Sequence, residues 1–533
     1  MRTNPFRRDE LIGATLHWLL HLELGGQTYR LAQRPLSGPL GLNGETVQYQ
    51  GAILGTIEWE ETADLLSPAP RSRSLSLTVN PFGLPVADLA AQVGSARATL
   101  FRWIEGTDRS VPYLTGLVLK PKHRLADQPI SFTIETDPWQ DAGDLADSDA
   151  RVSLDTWSNP AEKVRGERYP IPIGYPGTRP SGSVPASPAF AVDATSRYLL
   201  IADRPIHAGQ VTVYGAHDDS AVARSVTTTQ DLLGRTVSVV QLPSSGTGAY
   251  DADGEWWVGF SDASGFGGGI INRRTGNPLR GASEVMAWAL RRSTLPVDFS
   301  ALIADTDPLN AYRIDTSIRA GQTEVVSPWG WVQAQVLSLC PASAVLRPGG
   351  LSVLPWRIGI TRADVVAEAT DQVDRWELSE QPVSYSSWLQ CAGRIEISFA
   401  RDQMRGEWDG VHTLSSSSKA RFPGNREHYQ LRVGSTRFGN QLPPVTEDLD
   451  VVYDAATAGR FGEWKAATLA LPYRRLSFKA APEWGWLRPT DPLYVDAPRV
   501  GVSQIVHVET IRYLRDGSHL ITVVAFDHPR RDG

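Results

Sequence analysis

The residues of this chain that could do chemistry are few and widely spaced. His507 and His519 stand on either side of "VETIRYLRDGS", where Asp516-Gly517 is a type I′ turn signal. Two imidazoles on facing strands can ligate a metal, but no third ligand accompanies them, and they read as solvent-face residues. "ADTDP" (Ala304 to Pro308) could set Asp305 and Asp307 side by side as an acid and base. Aspartate is also the favoured residue ahead of a proline-led turn, and the turn is the preferred reading. "DADGE" (Asp251 to Glu255) starts like a calcium loop, yet it lacks the third acidic position and the distal glutamate. A hairpin turn is expected there instead. "GFGGG" (Gly265 to Gly269) has no Lys-Ser/Thr ending to hold phosphate, and reads as a flexible joint.

Other signatures fail outright. HExxH, CxxC, GxSxG and GxxxxGK[ST] do not occur in the sequence. Two cysteines, Cys340 and Cys391, are too few for a disulfide framework or a four-ligand metal site. Cys340 follows the apolar run "VQAQVLSL" and reads as a buried thiol. No catalytic residue, cofactor or metal is therefore expected.

Aromatic residues are more telling. Seventeen tryptophans stand against three methionines. They gather in "EWW" (Glu255 to Trp257), "PWGW" (Pro328 to Trp331) and "EWGW" (Glu483 to Trp486), with Trp288 apart. Such platforms can stack on sugars, but convergent polar partners are not evident, so core packing and subunit contact are preferred. The candidate interface residues are Trp288, Arg291, Arg292, Trp329, Trp331, Trp484 and Trp486.

The elements that position these residues are mostly strands. Up to residue 145, short alternating segments follow one another, opening with a hairpin in "TLHWLLHLELGGQTYRLAQ" that turns at Gly25-Gly26. A short helix, "PVADLAAQV", interrupts them, and the whole suggests an N-terminal β-barrel-like domain (1–145). "DPWQDAGDLADSDARV" reads as an acidic linker. Residues 150–270 are β-rich but looser, an insertion or decoration domain. Within them "RYPIPIGYPGTRPSGSVPASPAF" is too rich in Pro, Gly and Ser for regular structure and reads as an extended wrapping segment.

Residues 271–380 form an α/β unit. Its first helix stacks Ala282, Val285, Met286, Ala289 and Leu290 on one face, capped at or before Ser283 and limited by Pro296. A second begins at Ser327-Pro328, a cap followed by a first-turn proline. "SAVLRPGGLSVLPWRI" is a hairpin turning at Pro348-Gly349-Gly350, and Thr361 with Asp364 has capping-box spacing for a third helix in "ITRADVVAEA". Residues 381–533 return to a β-barrel-like domain with one helix, about Asp454 to Leu471, and an exposed polar loop in "VHTLSSSSKARFPGNREH". The fold class is mainly β with an α/β insert, in several domains.

At 533 residues the chain exceeds one ordinary core. A net charge of −7 argues against a basic nucleic-acid-binding surface. The first 24 residues lack a cleavage site, and no run approaches eighteen apolar residues. The expectation is a soluble protein without a membrane span, folding in a reducing cytoplasm.

One resemblance goes further. "NPLRGASEVMAWALRRSTLPVDFSAL", "YRIDTSI", "SPWGWVQAQVLSLCPASAVLRPGGLSVLPWRI" and "VVYDAATAGRFGEWKAATLALPYRRLSF" occur in that order. In them the chain resembles the tail hub proteins of long-tailed bacteriophages, related to baseplate hubs and to the tail tip hubs of gene transfer agents. The likeness covers about 272 to 358 and extends to about 480, and residues 150–270 match least. It implies a structural virion protein assembled in the host cytoplasm: a homotrimer whose two tube-like barrels per subunit make a pseudo-sixfold ring. Such a ring would meet the distal tail protein above and tail tip, fibre or receptor-binding proteins below. It would also meet the tape measure protein and pass genomic DNA through its channel without specific binding. The alternative is a tail-tip carbohydrate-binding adhesin, resting on the tryptophans, or a cell-wall hydrolase hidden in 150–270.

Overall fold

The strand Leu16–Leu24 (LHWLLHLEL) shows how this sequence builds its sheets, because it is buried on both faces except at Glu23, although one face carries His17 and His21. Side chains alternate across a strand. Trp18, Leu20, Leu22 and Leu24 enter one core, while Leu19 meets Ala32, Tyr49 and Trp103 on the other side. Gly25 and Gly26 supply the positive φ, 59° and 78°, of the tight turn into Gln27–Ala32.

The structure is a computed structural model. It describes residues 15–40, 44–55, 57, 59–63, 74–81, 84, 96–122, 128–136, 141–179, 182–217, 220–263, 266–321, 324–347, 350–357, 360–370, 376–387, 390–414, 419–421, 428–430, 444–469, 472–514 and 518–525. The expected helix at 85–93, the serine run at 415–418 and the turn residues Pro348, Gly349, Asp516 and Gly517 lie outside the described residues.

The N-terminal strands form a nine-stranded sheet in the order Leu36–Pro39, Thr46–Gly51, Gln27–Ala32, Leu16–Leu24, Arg97–Ile104, Ser110–Lys122, Ile130–Glu135, Ser74–Val79, Ile53–Leu54. The last part of the chain forms a second sheet in the order Ala367–Thr370, Pro492–Ala497, Val502–Tyr513, His519–Ala525, Arg474–Ala480, Trp376–Tyr385. The two are joined. Trp59–Thr62, from the N-terminal part, pairs with Val502–Tyr513 in the register Thr62 to Thr510. One apolar core then runs between them, with Leu20, Leu100 and Phe132 beside Phe478, Val506 and Ile521. The two ends of the chain are thus fused through a shared strand pairing and shared burial, the dominant stabilising term in such a contact.

Between them, six strands close a barrel: Ser187–Asp193, Tyr198–Ala202, Thr236–Gln241, Ser220–Gln230, Gln210–Gly215 and Trp256–Gly259, which pairs back to the first. Phe190, Ile201, Val239, Trp256 and Phe260 fill it. The segment "RYPIPIGYPGTRPSGSVPASPAF" is extended, but it is not without regular structure. It holds Ile171–Ile173, paired with Thr316–Ile318, a two-residue-stranded hairpin at Thr178–Arg179 and Gly182–Ser183, and the first barrel strand. Pro172 sits in a two-stranded ribbon and Pro188 near the start of its strand, where a missing N–H costs least.

A third core holds the helices. α1 (Ala282–Leu290) buries the whole expected face, Ala282, Val285, Met286, Ala289 and Leu290. Its N-cap is Gly281 without a side-chain cap, and Ser283 instead bonds Thr306 inside the core (2.7 Å). α2 (Phe299–Thr306) was not expected. Asp298 caps it, accepting from the amides of Ser300 and Ala301 at 3.0 Å each. α3 (Pro328–Trp331) begins as expected, with Ser327 Oγ accepting from Gly330 N at 3.2 Å, and continues as one π turn, Val332–Leu337. The Thr361–Asp364 capping box is present, but it spans a single 3-10 turn (Arg362–Asp364) and leads into the strand Ala367–Thr370 rather than a helix. α4 (Ala455–Leu469) is the expected late helix. It packs with Ile395–Asp402 and Glu407–Leu414 onto the core of α1, so Ile397, Leu449, Val452 and Phe461 share burial with Met286.

The acidic stretch before residue 152 is more than a linker. Leu145 and Ala146 enter the helical core, and Asp144 pairs with Arg168 at 2.6 Å. Likewise "VHTLSSSSKARFPGNREH" is not wholly loop: it carries the end of Glu407–Leu414, and Lys419–Arg421 pairs with His428–Gln430. Among the described residues, no helix is long and apolar enough to cross a membrane.

Candidate functional site

The chemically suggestive residues are dispersed, each held in a structural role. The paired histidines are buried, not on a solvent face. His519 is 0% exposed, with Nε2 2.8 Å from Arg102 Nη1 and Nδ1 3.3 Å from the Ala481 carbonyl. The guanidinium can only donate, so Nε2 accepts and Nδ1–H donates to the carbonyl. His507 lies beside Trp356 with ring centroids 6.1 Å apart, and burial pushes its pKa down to about 4. A terminal hairpin usually has one outward face, whereas at these two histidines both faces are covered.

Asp307 accepts from Asn310 Nδ2 at 3.2 Å within the 3-10 turn Asp307–Ala311, and Asp305 lies in the last turn of α2. In "DADGE", Asp251 Oδ1 takes the amide of Asp253 at 2.9 Å. Lys163 Nζ donates to the carbonyls of Asp253 and Gly254, so an ammonium group stands where a cation would. This is a turn between strands of the barrel that are not each other's neighbours, hence not a hairpin.

Gly267 to Gly269 are not a flexible joint either, while Gly265 lies outside the described residues. A Cβ on Gly267 would lie 1.9 Å from the His207 carbonyl oxygen, one on Gly268 2.4 Å from that of Gly174, and one on Gly269 2.0 Å from that of Pro172. Backbone bonds Gly269 N to Gly174 O (2.8 Å) and His207 N to Gly269 O (3.1 Å) close the seam. Glycine is needed there for close approach, a use that sequence cannot distinguish from freedom of movement. Cys340 is buried, and burial pushes its thiol up, away from reactivity. Among the described residues no group of three or more His, Cys, Asp or Glu could hold a metal ion.

The tryptophan and arginine candidates fall into two places. Trp288, Trp329 and Trp331 are half-buried at the rim of the helical core. Arg292 stacks 4.3 Å above Trp288 and donates to its carbonyl at 3.1 Å, while exposed Arg291 lies 5.7 Å from the Phe299 ring. Burial, with Arg204 nearby, pulls the Arg292 pKa down. Asp141 binds this rim together. Its carboxylate accepts from the amides of Trp329 (2.7 Å), Thr294 (3.0 Å) and Gly143 (3.0 Å). Burial alone would raise its pKa, and these amides outweigh burial and hold it below the ordinary value. Trp484 and Trp486 belong to the other core. Trp484 is 4% exposed, edge-on to Phe478 at 6.2 Å, and Trp486 packs partly buried beside it. Their turn is clamped to both end sheets, with Tyr113 of the first and Tyr513 of the second both donating to the Gly485 carbonyl.

Sequence reading missed a deeply buried charge pair. Arg280 grips Asp315 with two hydrogen bonds of 2.8 Å, and Asp315 also accepts from Tyr175 N at 2.8 Å. The Asp315 side chain is 0% exposed and that of Arg280 12%. Burial pushes the Asp315 pKa up, against the pull of the guanidinium and the amide. The Arg280 ring contact with Tyr175 (4.9 Å) extends the joint to the segment entering the barrel. Nothing at either position marks the pair, since charges 35 residues apart in sequence do not announce their pairing.

No family model matches the sequence, and no curated protein matches it. Among solved structures the chain is similar to the 43 kDa tail protein of prophage MuSo2 from Shewanella oneidensis, at 11% identity and a TM-score of 0.36, covering 96% of this chain and 100% of that one. It is similar to a tail protein from Neisseria meningitidis MC58, at 8% identity and a TM-score of 0.35, covering 95% and 96%. It is also similar to a chain of the virion of a native gene transfer agent particle, at 14% identity and a TM-score of 0.39, covering 68% and 85%.

Proposed function

We propose that this chain is a structural tail hub of a bacteriophage-type particle, without catalysis. It forms a homotrimer at the distal end of the tail tube, between the distal tail protein and the tip, fibre or receptor-binding proteins. The observation that supports this reading is the way the ordered hub-like motifs converge. "NPLRG" and "YRIDT" meet through Arg280 and Asp315, and the "SPWGW" and "YDAATA" helices pack on the same core as α1. The motifs that follow one another along the chain thus share one core, which supports reading them together. The fused end sheets agree with two tube-like units per chain, and a ring of three would then present six.

In this reading Trp288, Arg291, Arg292, Trp329 and Trp331 meet a neighbouring tail protein, and Trp486 contributes at the seam of the end sheets. An acidic chain, net −7, suits a channel through which phosphate must slide without sticking. Native mass spectrometry tests the assembly. A particle of three times the 58.3 kDa chain supports the hub, and a monomer at every concentration overturns it. A lumen lined by Arg and Lys in an experimental ring structure would overturn the channel reading.

A further inference from the structure

One face of the strand Leu16–Leu24 carries His17 and His21, and a thinly attached piece of the chain lies over it. The strands Leu36–Pro39 and Thr46–Gly51 pair with each other and form an arm on this face. Among the described residues the arm pairs with the rest of the sheet through Leu31 with Gln50 and Ala32 with Gly51, a parallel contact of two residue pairs. Ser110 Oγ also donates to the Pro39 carbonyl at 3.3 Å. Beneath the arm Tyr49 meets Leu19, Ala32 and Trp103, while Leu36 and Val47 are only partly buried. A short ladder over a small core marks a segment that can open without the rest of the fold. An isolated two-stranded hairpin is marginal in water, so a lifted arm also loses its own pairing.

His21 is 8% exposed in this layer. Its Nε2 lies 2.9 Å from Tyr49 OH, and that hydroxyl donates to the Pro39 carbonyl at 3.1 Å. The phenol has one proton to give, so Nε2–H donates to its oxygen. The imidazole stacks on Tyr49 (centroids 5.7 Å) and meets Phe101 (4.4 Å).

The groups around His21 oppose a second proton. Arg30 stands opposite it on Gln27–Ala32, and Arg97–Ile104 offers only uncharged Thr99 there. Glu23, two residues along the same face, is exposed and stands opposite Arg97, and Glu45 of the arm is exposed. His17, four residues the other way, differs. Glu105 lies 3.1 Å from its Nε2, with Arg34 at 3.3 Å, so a proton there meets a carboxylate. Burial first, and then Arg30, hold the His21 pKa down at about 4, against an ordinary 6.5.

Charge on His21 is thus penalised only while the arm is closed. With the arm lifted the imidazole is hydrated, Arg30 is screened, and the ordinary pKa returns. Above about 6.5 the closed form keeps its full advantage. As pH falls from there towards 4, the ratio of open to closed arm rises about tenfold for each pH unit.

We propose that the arm formed by Leu36–Pro39 and Thr46–Gly51 is an acid-released flap, lifted from the first sheet when His21 takes up a proton. Lifting it uncovers Leu19, Ala32 and Trp103. Hydrogen–deuterium exchange of the full-length chain at pH 7 and pH 5, corrected for the intrinsic rate at each pH, reads the opening through peptides covering 46–52. Their protection should fall by at least about tenfold at pH 5. Peptides from Arg97–Ile104 beneath, and from the barrel strand Thr236–Gln241, should keep theirs. In H21Q, whose amide can still donate to Tyr49 but cannot become charged, the fall should vanish, and in H17Q it should persist. Unchanged protection of 46–52 in wild type overturns the flap without recourse to any variant. A fall that H21Q retains, or that H17Q abolishes, overturns the role of His21. An equal loss across Arg97–Ile104 also overturns the flap, because the whole sheet would then be unfolding.

Discussion

Replacing Arg280 by Met should be among the most damaging single changes in this protein. Met keeps most of the side-chain length, so the loss is chiefly the guanidinium. It leaves the carboxylate of Asp315 in a fully buried position with one amide bond of 2.8 Å remaining. Breaking a buried pair from one side costs about 3–5 kcal/mol, because the surviving charge is left uncompensated. The variant can escape part of that cost by protonating Asp315. Its folded-state pKa then stands above the unfolded value, so the folded variant holds a proton that the unfolded chain releases. Stability of R280M should therefore fall as pH rises above about 4 and continue to fall until the raised folded pKa is passed. The loss relative to wild type should be larger at pH 7 than at pH 5. The double variant R280M/D315L removes both charges and should recover most of the loss, to within about 2 kcal/mol of wild type. Urea unfolding followed by tryptophan fluorescence measures this, with limited proteolysis to assign the transition to the α1 core, since a chain with several cores need not unfold in one step. A loss below about 1 kcal/mol for R280M at pH 7 would refute the reasoning, as would a double variant no better than the single, against the order expected for buried pairs.

Met286, 0% exposed on α1, should lose about 2–5 kcal/mol on change to Ala, read from the same unfolding curves. Gly269→Ala would set a methyl 2.0 Å from the Pro172 carbonyl oxygen, and should cost about 1–3 kcal/mol and open the 266–270 seam to protease. His21 and His507 both have pKa values lowered to about 4 by burial. The unfolded chain binds protons that the folded one refuses, so stability should rise with pH between about 4 and 6.5, by up to about 3 kcal/mol per residue. Denaturation across that window measures the slope, and H507L should flatten it.

What could be read from the sequence was local. α1 was legible because five apolar residues recur at spacings of three and four, and the start of α3 because Ser327 and Pro328 are adjacent. The Gly25-Gly26 hairpin needed only the turn and its flanks. α2 was overlooked because "DFSALIADTDP" attracts attention to its aspartates as chemistry, when Asp298 is the cap. The strand Ser220–Gln230 is hard to read in sequence because its small and hydroxylated side chains give little hydropathy contrast. The failures at His519, Gly269 and Arg280 share one cause. Their partners Arg102, Pro172 and Asp315 are remote in sequence, and burial made by another part of the chain leaves no trace at the residue itself. The Trp288 and Trp329 rim was identifiable as aromatic surface, but its organiser, Asp141, was concealed in what looked like a linker.

The most direct measurement of the central claim is electron microscopy of the assembled particle with this chain labelled. The hub reading predicts label on the tail axis at the distal end of the tube, in threefold-symmetric density. Label away from the axis, or on the particle's head or side fibres, would contradict it.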